Sequence, residues 1–448
     1  MLDSEKAALQ AREAAVVVDD KVAGRLAMIA TDEFRFTYRD VYVREKNPPI
    51  SLTMPTSQME YVSHILHPFF DNLLFEGEQL KKAERRYQLS RYSAVDRFKL
   101  LMVTGSHNVS TVSIQPIISG TPVDLTKDQP EALFPTQLIN LESPFENYCE
   151  VCLDPVERKR NHSACKKLLW GTTSPVKLEA YQEDPVNIFK THVPGQTFSG
   201  AQRKSLFSLK KNILTKTGLS THILKPDGEF PEMPANEHLT MAIARKLGFN
   251  TPPIGLYHAS EIGLVYVVKR FVDKNKYVAH EDFAQLSEEP AIYKDQATLE
   301  AVGKIISQYA TSPRLELSDF FRRVLFCYLT GNGDMHLKNW SLSIYRPENL
   351  VKLSPVYDFL NVRASYPQEQ VETILSMGGK RNNLNRKLFE KFADNLGLED
   401  KFIGKTFKEL TKWKNVSKQF TERSALSSER KKSYLAILES RYASLLEK

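Results

Sequence analysis

The sequence has few cysteines and no long apolar runs. Only four of its 448 residues are cysteine, and three of these lie within one short segment, which argues against a disulfide scaffold. No uninterrupted apolar run reaches the roughly 18–20 residues that span a bilayer, so we expect no membrane-spanning helix and no membrane partner. The charged N-terminus also lacks the hydrophobic stretch of a signal peptide. We therefore expect a cytoplasmic protein.

A strong charge of one sign is also missing. The 61 basic and 54 acidic residues give a net charge of +7, which an ordinary solvated surface accounts for. A basic patch that favours nucleic acid or an acidic protein surface stays open as an alternative. The hydrophobic fraction of 42% is typical of a globular protein. Because a chain of this length is too long for one core, we expect about two or three domains.

The spacing of apolar residues predicts an α+β protein with strands first and helices last. Residues 14–40 alternate as short strands do, whereas residues 61–89 have helical spacing. Residues 118–147 contain four prolines and little periodicity, which favours a linker. Strand-like segments then surround the helix NEHLTMAIARKLG, and beyond about residue 295 the pattern is helical almost to the end. A strand-rich lobe before a helix-rich lobe is the order that a kinase requires.

The loop GNGDMHLKNW, residues 331–340, combines residue types that handle phosphates. Asp334 and Asn339, followed by Asp358 in SPVYDF, have the order in which protein kinases place a base and two magnesium ligands. Turn chemistry alone would explain Gly-Asn-Gly-Asp, but His336 and Lys338 in the same loop favour a site. We interpret Asp334 as the base for a substrate hydroxyl and Asn339 and Asp358 as magnesium ligands. Lys338 would neutralise charge on the transferred phosphoryl group.

A lysine at the end of an apolar strand gives a second signal. Lys225 ends THILKP, where its ammonium can lie over phosphates while its stem follows the sheet. Glu237, near the start of the next helix, is the predicted partner that orients it. Taken alone, a lysine in this position is usually exposed surface. Its interpretation therefore depends on the Asp334 loop.

The segment TFSGAQRKS, residues 197–205, is a weaker candidate for a phosphate loop. Gly200 lets the backbone approach an anion and Lys204 adds positive charge, but the segment is neither a Walker A sequence nor GxGxxG. Thr197 and Ser199 place two hydroxyls on the same loop. These hydroxyls are candidates for phosphorylation by the enzyme itself.

Three cysteines and a histidine within seventeen residues have the spacing of a structural zinc site. Cys149, Cys152, His162 and Cys165 fill the four tetrahedral positions, which leaves none open for chemistry. The alternative is a set of reduced cysteines near a loop. The remaining Cys327 lies in an apolar helical pattern, so we expect it in the core.

Several of these motifs together resemble the HipA family of serine/threonine protein kinases, the toxins of bacterial toxin–antitoxin pairs. These motifs are GNGDMHLKN, SPVYDF, SGAQRK, THILK and VVKRF. The family's N-terminal subdomain is resembled by three further segments: the strands of residues 14–40, FFDNLL at 69–74 and RYSAVDRFKLLMVTGSHNVSTVSI. With the residue patterns, the resemblance implies a strand-rich N-terminal subdomain, a zinc-knuckle-like insert and a two-lobed kinase-like domain. The expected division is an N-terminal subdomain at 1–117, a linker at 118–147, a zinc-binding segment at 148–172, a kinase N-lobe at 173–275 and a helical C-lobe at 276–448.

The resemblance also implies roles for individual residues. Asp334 corresponds to the catalytic aspartate, and Lys225 to the lysine that binds the ATP phosphates. The other implied ATP-binding positions are Ser199, Gly200, Ala201, Gln202, Arg203 and Lys204 in the phosphate-side loop, Lys269, Arg270 and Phe271 in the hinge, and His336, Leu337, Lys338, Asn339, Tyr357 and Asp358. The family inactivates itself by autophosphorylating a loop serine. Here Thr197 holds that position with Ser199 nearby, so the main acceptor stays open.

The sequence therefore predicts an ATP- and magnesium-dependent serine/threonine protein kinase that acts as a growth-arresting toxin. The resemblance implies a translation-related substrate such as an aminoacyl-tRNA synthetase, and a small HipB-like helix-turn-helix antitoxin as partner. This chain has no recognisable helix-turn-helix, so we expect contact with DNA only through the antitoxin. Two alternatives stay open: a small-molecule or lipid kinase, and a nucleotide-binding pseudokinase that acts as an antitoxin or corepressor.

Overall fold

Strands dominate the first 270 residues of the chain and helices dominate the rest, as the sequence predicts. The computed structural model describes residues 2–74, 77–107, 112–125, 136–157, 162–182, 184–190, 204–216, 220–228, 231–271, 278–346, 348–368 and 371–446. Within these ranges, every helix is too short or too polar to cross a bilayer.

The N-terminal residues form an antiparallel sheet covered by helices. Its strands are β1 (Glu13–Val18), β2 (Lys21–Ala30), β3 (Glu33–Tyr38), β4 (Glu60–Ser63), β5 (Val112–Ile118) and β6 (Thr121–Pro122), in the order β4-β3-β2-β1-β5-β6. Its helices are α1 (Asp3–Gln10), α2 (Asp40–Arg44), α3 (Pro68–Asp71), α4 (Gly77–Tyr87) and α5 (Ala94–Thr104), and a 3₁₀ turn follows at Gly105–His107. The alternation in β3 buries Phe34 against Phe98 of α5, and Phe36 against Phe70 of α3. Each buried ring contributes roughly 1.5–3 kcal/mol.

The central residues form a closed barrel. Its strands are β7 (Thr136–Glu142), β8 (Lys177–Tyr181), β9 (Ser205–Lys210), β10 (Ile213–Thr215), β11 (His222–Pro226), β12 (Ile254–Ala259) and β13 (Gly263–Lys269), in the order β10-β8-β7-β12-β13-β11-β9. β8 and β10 pair in parallel, and the other neighbouring strands of the barrel pair antiparallel. Among the described residues of this stretch, the helices are α6 (Ser163–Trp170), α7 (Asn187–Lys190) and α8 (Met233–Lys246). α8 packs Leu239 and Ile243 in one core with Leu256 of β12, and Gly248 ends it at φ +86°, a conformation that favours glycine.

The C-terminal residues form a helical layer around a small antiparallel sheet. The sheet has the order β14 (Val278–Asp282), β15 (Ser341–Tyr345) and β16 (Leu350–Leu353). Its helices are α9 (Phe283–Leu286), α10 (Leu299–Tyr309), α11 (Pro313–Leu329), α12 (Val362–Ser365), α13 (Arg386–Asn395), α14 (Asp400–Arg423) and α15 (Ser428–Leu446), with 3₁₀ turns at Ala291–Tyr293 and Leu337–Asn339. α15 buries Tyr434, Leu438, Tyr442 and Leu445, the face that helical spacing predicts, while Leu435 is only partly buried.

The proline-rich segment 118–147 is not simply a linker, and the structure corrects that prediction in part. Residues 121–122 pair with β5 in the N-terminal sheet, and residues 136–142 form β7 of the barrel. Pro144 lies shortly after β7, where a missing N–H removes no ladder bond. The division of the chain into five segments otherwise stays a prediction.

Candidate active site

Lys225 lies on a barrel strand that has neighbours on both sides. β11 pairs with β13 and β9, and Lys225 is opposite Tyr266 of β13, with the ammonium 5.9 Å from the centre of that ring. The Lys225 side chain is only 6% exposed. Burying an ammonium is costly unless it is paired. Lys225 is therefore not the surface lysine of the alternative interpretation.

Glu237 supplies one partner of this ammonium. Helix α8 begins at Met233, so Glu237 comes one turn later and is fully buried within the structure. Lys225 Nζ donates to Oε1 and Oε2 of Glu237 at 2.7 and 2.9 Å. The structure thus brings together the lysine and the glutamate that the sequence pairs.

Asp358 supplies the second partner from the other side of the site. Lys225 Nζ donates to Asp358 Oδ1 in a short contact, and the Asp358 side chain is 23% exposed. Its backbone has φ +53°, a left-handed conformation that is strained for aspartate and that clusters at functional sites. Asn332 Nδ2 donates to the carbonyl of Asp358 at 3.1 Å and helps to hold this conformation. One ammonium therefore joins a barrel strand, α8 and the loop after β16.

The charges of these three groups depend on one another. Burial raises the pKa of Glu237 to about 7. Burial also acts to raise the pKa of Asp358, but the ammonium of Lys225 outweighs it and holds that pKa below its usual range. For Lys225, burial opposes the charged form, yet the carboxylates of Asp358 and Glu237 keep its pKa above the ordinary value. Lys225 and Asp358 are therefore both charged at neutral pH.

A pair of buried asparagines ties α8 to the Asp358 loop, and sequence analysis missed both. Asn236 Nδ2 donates to the carbonyl of Asn361 at 2.8 Å, and the Asn361 backbone N–H donates to Asn236 Oδ1 at 2.8 Å. Asn236 precedes Glu237 directly, and Asn361 follows Asp358 by three residues. These two reciprocal hydrogen bonds fix the distance between helix α8, which carries Glu237, and the loop that carries Asp358. Lys225 lies between these two carboxylates. The signals available in the sequence were an asparagine directly before Glu237 and another three residues after Asp358.

The loop that carries Asp334 is closed by its own hydrogen bonds. Asn339 Nδ2 and the backbone N–H of His336 each donate to the carbonyl of Asp334 at 2.9 Å. The Asp334 residue itself is exposed, while its neighbours in the loop are mostly buried. Because the amide nitrogen of Asn339 is used inside the loop, its oxygen is the atom that remains for a cation. The loop thus presents one carboxylate to solvent on a rigid frame.

The two glycines of GNGD are required by space. Gly331 has φ +70°, and a Cβ there would lie 2.7 Å from Asn361 Oδ1. A Cβ on Gly333 would lie 2.8 Å from the carbonyl oxygen of Val371. Turn chemistry accounts for these glycines, whereas Asn332 between them reaches across to Asp358. Turn chemistry therefore explains the two glycines, and the role of the motif in catalysis stays a prediction.

Other sequence-predicted ATP-binding residues occupy different surroundings. Lys338 is buried, and its ammonium donates to the carbonyl of Asn72 in the N-terminal part at 3.0 Å. Lys269 Nζ donates to the carbonyl of Leu168 on α6 at 3.2 Å. Arg270 donates to the carbonyl of Ser220 at 3.1 Å. Leu337 is fully buried in the core. These cations are thus engaged with the protein itself.

An aromatic cluster lies beside the Asp358 loop. Phe271 stacks on Tyr357 with ring centres 6.0 Å apart, and both rings meet His280 of β14 at 5.6 and 6.0 Å. Tyr357 also donates from its hydroxyl to the carbonyl of Lys338 at 3.1 Å. The structure therefore brings Phe271, which the sequence predicts for the hinge, into contact with Tyr357 of the Asp358 loop.

Most of the predicted phosphate-side loop falls outside the described residues. Thr197, Ser199, Gly200, Ala201, Gln202 and Arg203 all lie there, so their assignments stay predictions. Lys204 is the first described residue after them. Its positive charge acts to lower the pKa of Asp358 and opposes the increase that burial causes in the pKa of Glu237. Lys204 directly precedes Ser205, which pairs with Leu224 of β11, the residue before Lys225.

The cysteine cluster forms a compact set of ligand atoms. One ligand atom from each of Cys149, Cys152, His162 and Cys165 lies within 4.8 Å of the others. His162 Nδ1 is 3.3 Å from Cys152 Sγ, and His162 Nε2 is 3.2 Å from the carbonyl of Pro155. The Nε2–H group can thus donate a hydrogen bond to the carbonyl and leave Nδ1 as the ligand atom, an arrangement common in metal sites. Hydrogen bonds from Cys152, which has the larger effect, and from Cys165 hold the pKa of Cys149 far below its usual range. This donor set fits zinc, whereas Cys327 is buried in α11 away from it.

Comparison with known proteins adds family and fold. A family model described as "HipA-like C-terminal domain" matches residues 197–417, and one described as "HipA N-terminal domain" matches residues 14–115. A Haemophilus influenzae protein named as a kinase is 27% identical over 254 residues, which cover 52% of this chain and 73% of that protein. A Sinorhizobium fredii protein, also named as a kinase, is 30% identical over 348 residues, covering 73% of this chain and 71% of that protein.

The fold resembles that of a solved toxin. HipA of a Shewanella oneidensis toxin–antitoxin system, solved with HipB and operator DNA, has a TM-score of 0.65 over 97% of both chains. The two sequences are 18% identical, so this likeness concerns the fold alone. It extends over the N-terminal sheet, the barrel and the helical layer together.

Proposed function

Because this chain belongs to the HipA family, we propose that it transfers the γ-phosphoryl group of ATP to serine or threonine side chains of proteins. The observation that carries the proposal is the buried Lys225 ammonium held between Glu237 and Asp358. A lysine oriented by a helix glutamate, next to a metal-binding aspartate, is the arrangement that phosphoryl transfer by kinases needs. Relatives named as kinases support the same activity.

Each group at the site has a proposed task. Lys225 would hold the ATP phosphates, and the strained, charged Asp358 would hold magnesium together with the side-chain oxygen of Asn339. Carboxylate and amide oxygens are the ligands that magnesium prefers, so this donor set fits the ion. When bound, magnesium neutralises charge on the phosphate oxygens. Asp334 would accept the proton of the attacking hydroxyl, because it is the exposed carboxylate on the loop frame.

The nucleotide base has a proposed place at the aromatic cluster. Tyr357 directly precedes Asp358 and stacks on Phe271, and the two rings would offer apolar faces to a purine. Lys204 and the preceding residues of the SGAQRK segment would complete the phosphate contacts. Lys269, Arg270 and Lys338 are bonded to backbone carbonyls, so a direct phosphate contact by these three is less favoured.

Control by a HipB-like antitoxin is part of the proposal. The solved structure that this fold resembles contains HipB and operator DNA, which supports a helix-turn-helix partner and indirect DNA contact. Autophosphorylation of Thr197 or Ser199, a translation-related substrate and a cytoplasmic location stay predictions, because none of them rests on a described contact.

The class of acceptor can be tested with γ-labelled ATP. We expect the purified enzyme, added to a cell lysate, to label protein serine and threonine residues, including Thr197 or Ser199 of its own chain. The lipid and metabolite extracts should stay unlabelled, because the exposed Asp334 is open to a protein segment. Mass spectrometry of the labelled bands identifies the residues. Label confined to an extract would contradict the proposal and favour a small-molecule or lipid kinase.

We also propose that the cysteine cluster binds one structural zinc ion. α6 begins at Ser163, directly after the proposed ligand His162, and its end is tied to the barrel by Trp170 Nε1, which donates to the Tyr257 hydroxyl at 2.9 Å. Zinc would fix the start of the same helix. Such a site contributes to folding and leaves no coordination position for catalysis.

Metal analysis and chelation test this site. We expect about one zinc per chain, and its removal should lower the unfolding temperature by roughly 5–10 °C, since structural zinc stabilises the folded state. Cys152→Ser should abolish zinc binding. Cys327→Ala, which changes a cysteine outside the cluster, should keep it. Metal-free protein with an unchanged unfolding temperature would show that the cluster is plain packing.

A further inference from the structure

The N-terminal part of the chain contacts the Asp334 loop directly. Lys338 lies between His336 and Asn339, and its buried ammonium donates to the carbonyl of Asn72 at 3.0 Å, across 266 residues of sequence. Asn72 follows helix α3 in the motif FFDNLL. Neither the kinase chemistry nor a phosphate contact explains why this motif meets the loop.

Asp71 and Asn72 are themselves held on both sides. Asp71 forms a buried ion pair with Arg97 of α5, within the N-terminal part. On the other side, Asp71 Oδ2 accepts from the backbone N–H of Ala291 at 2.9 Å, and Asn72 Nδ2 donates to the carbonyl of Glu289 at 3.1 Å. These two residues therefore connect the N-terminal core to the segment between α9 and α10.

That segment returns to the same loop. The carbonyl of Lys294 accepts from the backbone N–H of Leu337 at 3.1 Å, and Lys294 Nζ lies 3.1 Å from His336 Nε2. Residues 71–72 are thus connected to the successive residues His336, Leu337 and Lys338 in two ways. One is the direct hydrogen bond from Lys338 to Asn72, and the other runs through residues 289–294. The Lys338 carbonyl also accepts from Tyr357, the neighbour of Asp358.

We propose that the N-terminal part sets the geometry of the catalytic loop through this loop anchor, defined as Asp71, Asn72 and Lys338. Lys338 is then a positioning residue: it holds Asp334 and Asn339 on the same short loop, and through Tyr357 it supports Asp358. This role rests on the proposed kinase function. A partner that displaces α3 would consequently lower activity without touching the nucleotide. Because small errors in the placement of reacting groups are costly, the anchor should affect turnover more than ATP binding.

Kinetics of full-length variants test the loop anchor. Asn72→Ala removes the amide that orients the carbonyl, and Lys338→Met removes the ammonium. We expect each to lower kcat by about tenfold or more, with KM for ATP within about twofold of the wild type, because positioning and not binding is lost. The double variant should lose less than the product of the two single effects, because the Asn72 side chain holds the segment whose backbone carbonyl Lys338 binds. Lys338→Arg, which keeps a cationic donor, should recover part of kcat.

A matched control and a second readout separate the possible outcomes. Asp19→Asn breaks another ion pair between the N-terminal part and the C-terminal part, with Arg346, and should leave kcat unchanged. Hydrogen exchange of the peptide 334–340 should rise in Asn72→Ala and Lys338→Met and stay unchanged in Asp19→Asn. This readout needs no activity, so an inactive wild type would refute the kinase proposal while the exchange still tests the anchor. Unchanged kcat and exchange in Asn72→Ala, or a raised KM for ATP as the main effect of Lys338→Met, would overturn the loop anchor.

Discussion

Replacing Asp334 with asparagine is expected to lower kcat for phosphoryl transfer by about a thousandfold, since a positioned general base contributes about 10²–10⁴. The loop should keep its shape, because the atom that Asn339 and His336 bind is the backbone carbonyl of Asp334, which the substitution leaves in place. ATP affinity and the unfolding temperature should therefore stay near wild-type values. Initial rates with γ-labelled ATP, nucleotide binding by fluorescence and thermal unfolding measure the three quantities.

The matched control for this substitution is Asp394→Asn. Asp394 is an exposed aspartate near the end of α13, so the same chemical change there should leave the rate unaltered. A wild-type rate in Asp334→Asn would show that Asp334 is not the base, whereas no phosphoryl transfer by either protein would favour the pseudokinase alternative. A large fall in both variants would point to a general loss of the fold.

Replacing Lys225 with methionine is expected to remove activity and also to destabilise the protein. The change leaves Glu237 buried without its cation, and breaking a buried ion pair in this way costs about 3–5 kcal/mol. KM for ATP should rise and kcat should fall, because the ammonium is the proposed phosphate ligand. Urea unfolding and steady-state kinetics report the two effects separately.

A double substitution separates stability from catalysis at this site. Lys225→Met with Glu237→Gln removes the unpaired charge, so most of the lost stability should return while activity stays absent. Lys246→Met serves as the control, since it breaks a half-exposed pair with Asp154 and should cost no more than about 1 kcal/mol. An active Lys225→Met enzyme would show that the buried lysine is only structural.

The sequence predicts those parts of the site that depend on residue type and local order. A lysine ending an apolar strand and a glutamate starting a helix indicated Lys225 and Glu237, and the spacing after Asp334 indicated Asp358. The structure places Lys225, Glu237 and Asp358 within hydrogen-bond distance of one another. Alternation in β3 likewise predicted the buried face of that strand. Helix α8, in contrast, is buried on every side from Pro234 to Ala244, which its apolar spacing did not indicate.

The features that the sequence did not predict are contacts between distant residues. The bond from Lys338 to Asn72 spans 266 residues, and the bond from Asn236 to Asn361 spans 125. No local pattern distinguishes a buried amide in such a bond from one in a turn. Sequence analysis also missed β7, because the prolines of this segment suggested a linker and the partner strands β8 and β12 lie elsewhere in the chain. A strand tolerates a proline shortly after its end, as at Pro144.

Quantitative phosphoproteomics of cells that express the wild type or Asp334→Asn tests the central claim most directly. We expect new phosphoserine or phosphothreonine sites on one or a few proteins in cells that express the wild type. None of these sites should appear in cells that express the variant at an equal level. The same comparison identifies the substrate. Identical phosphoproteomes from the two strains, with both proteins folded and able to bind ATP, would contradict the claim that this chain is a protein kinase.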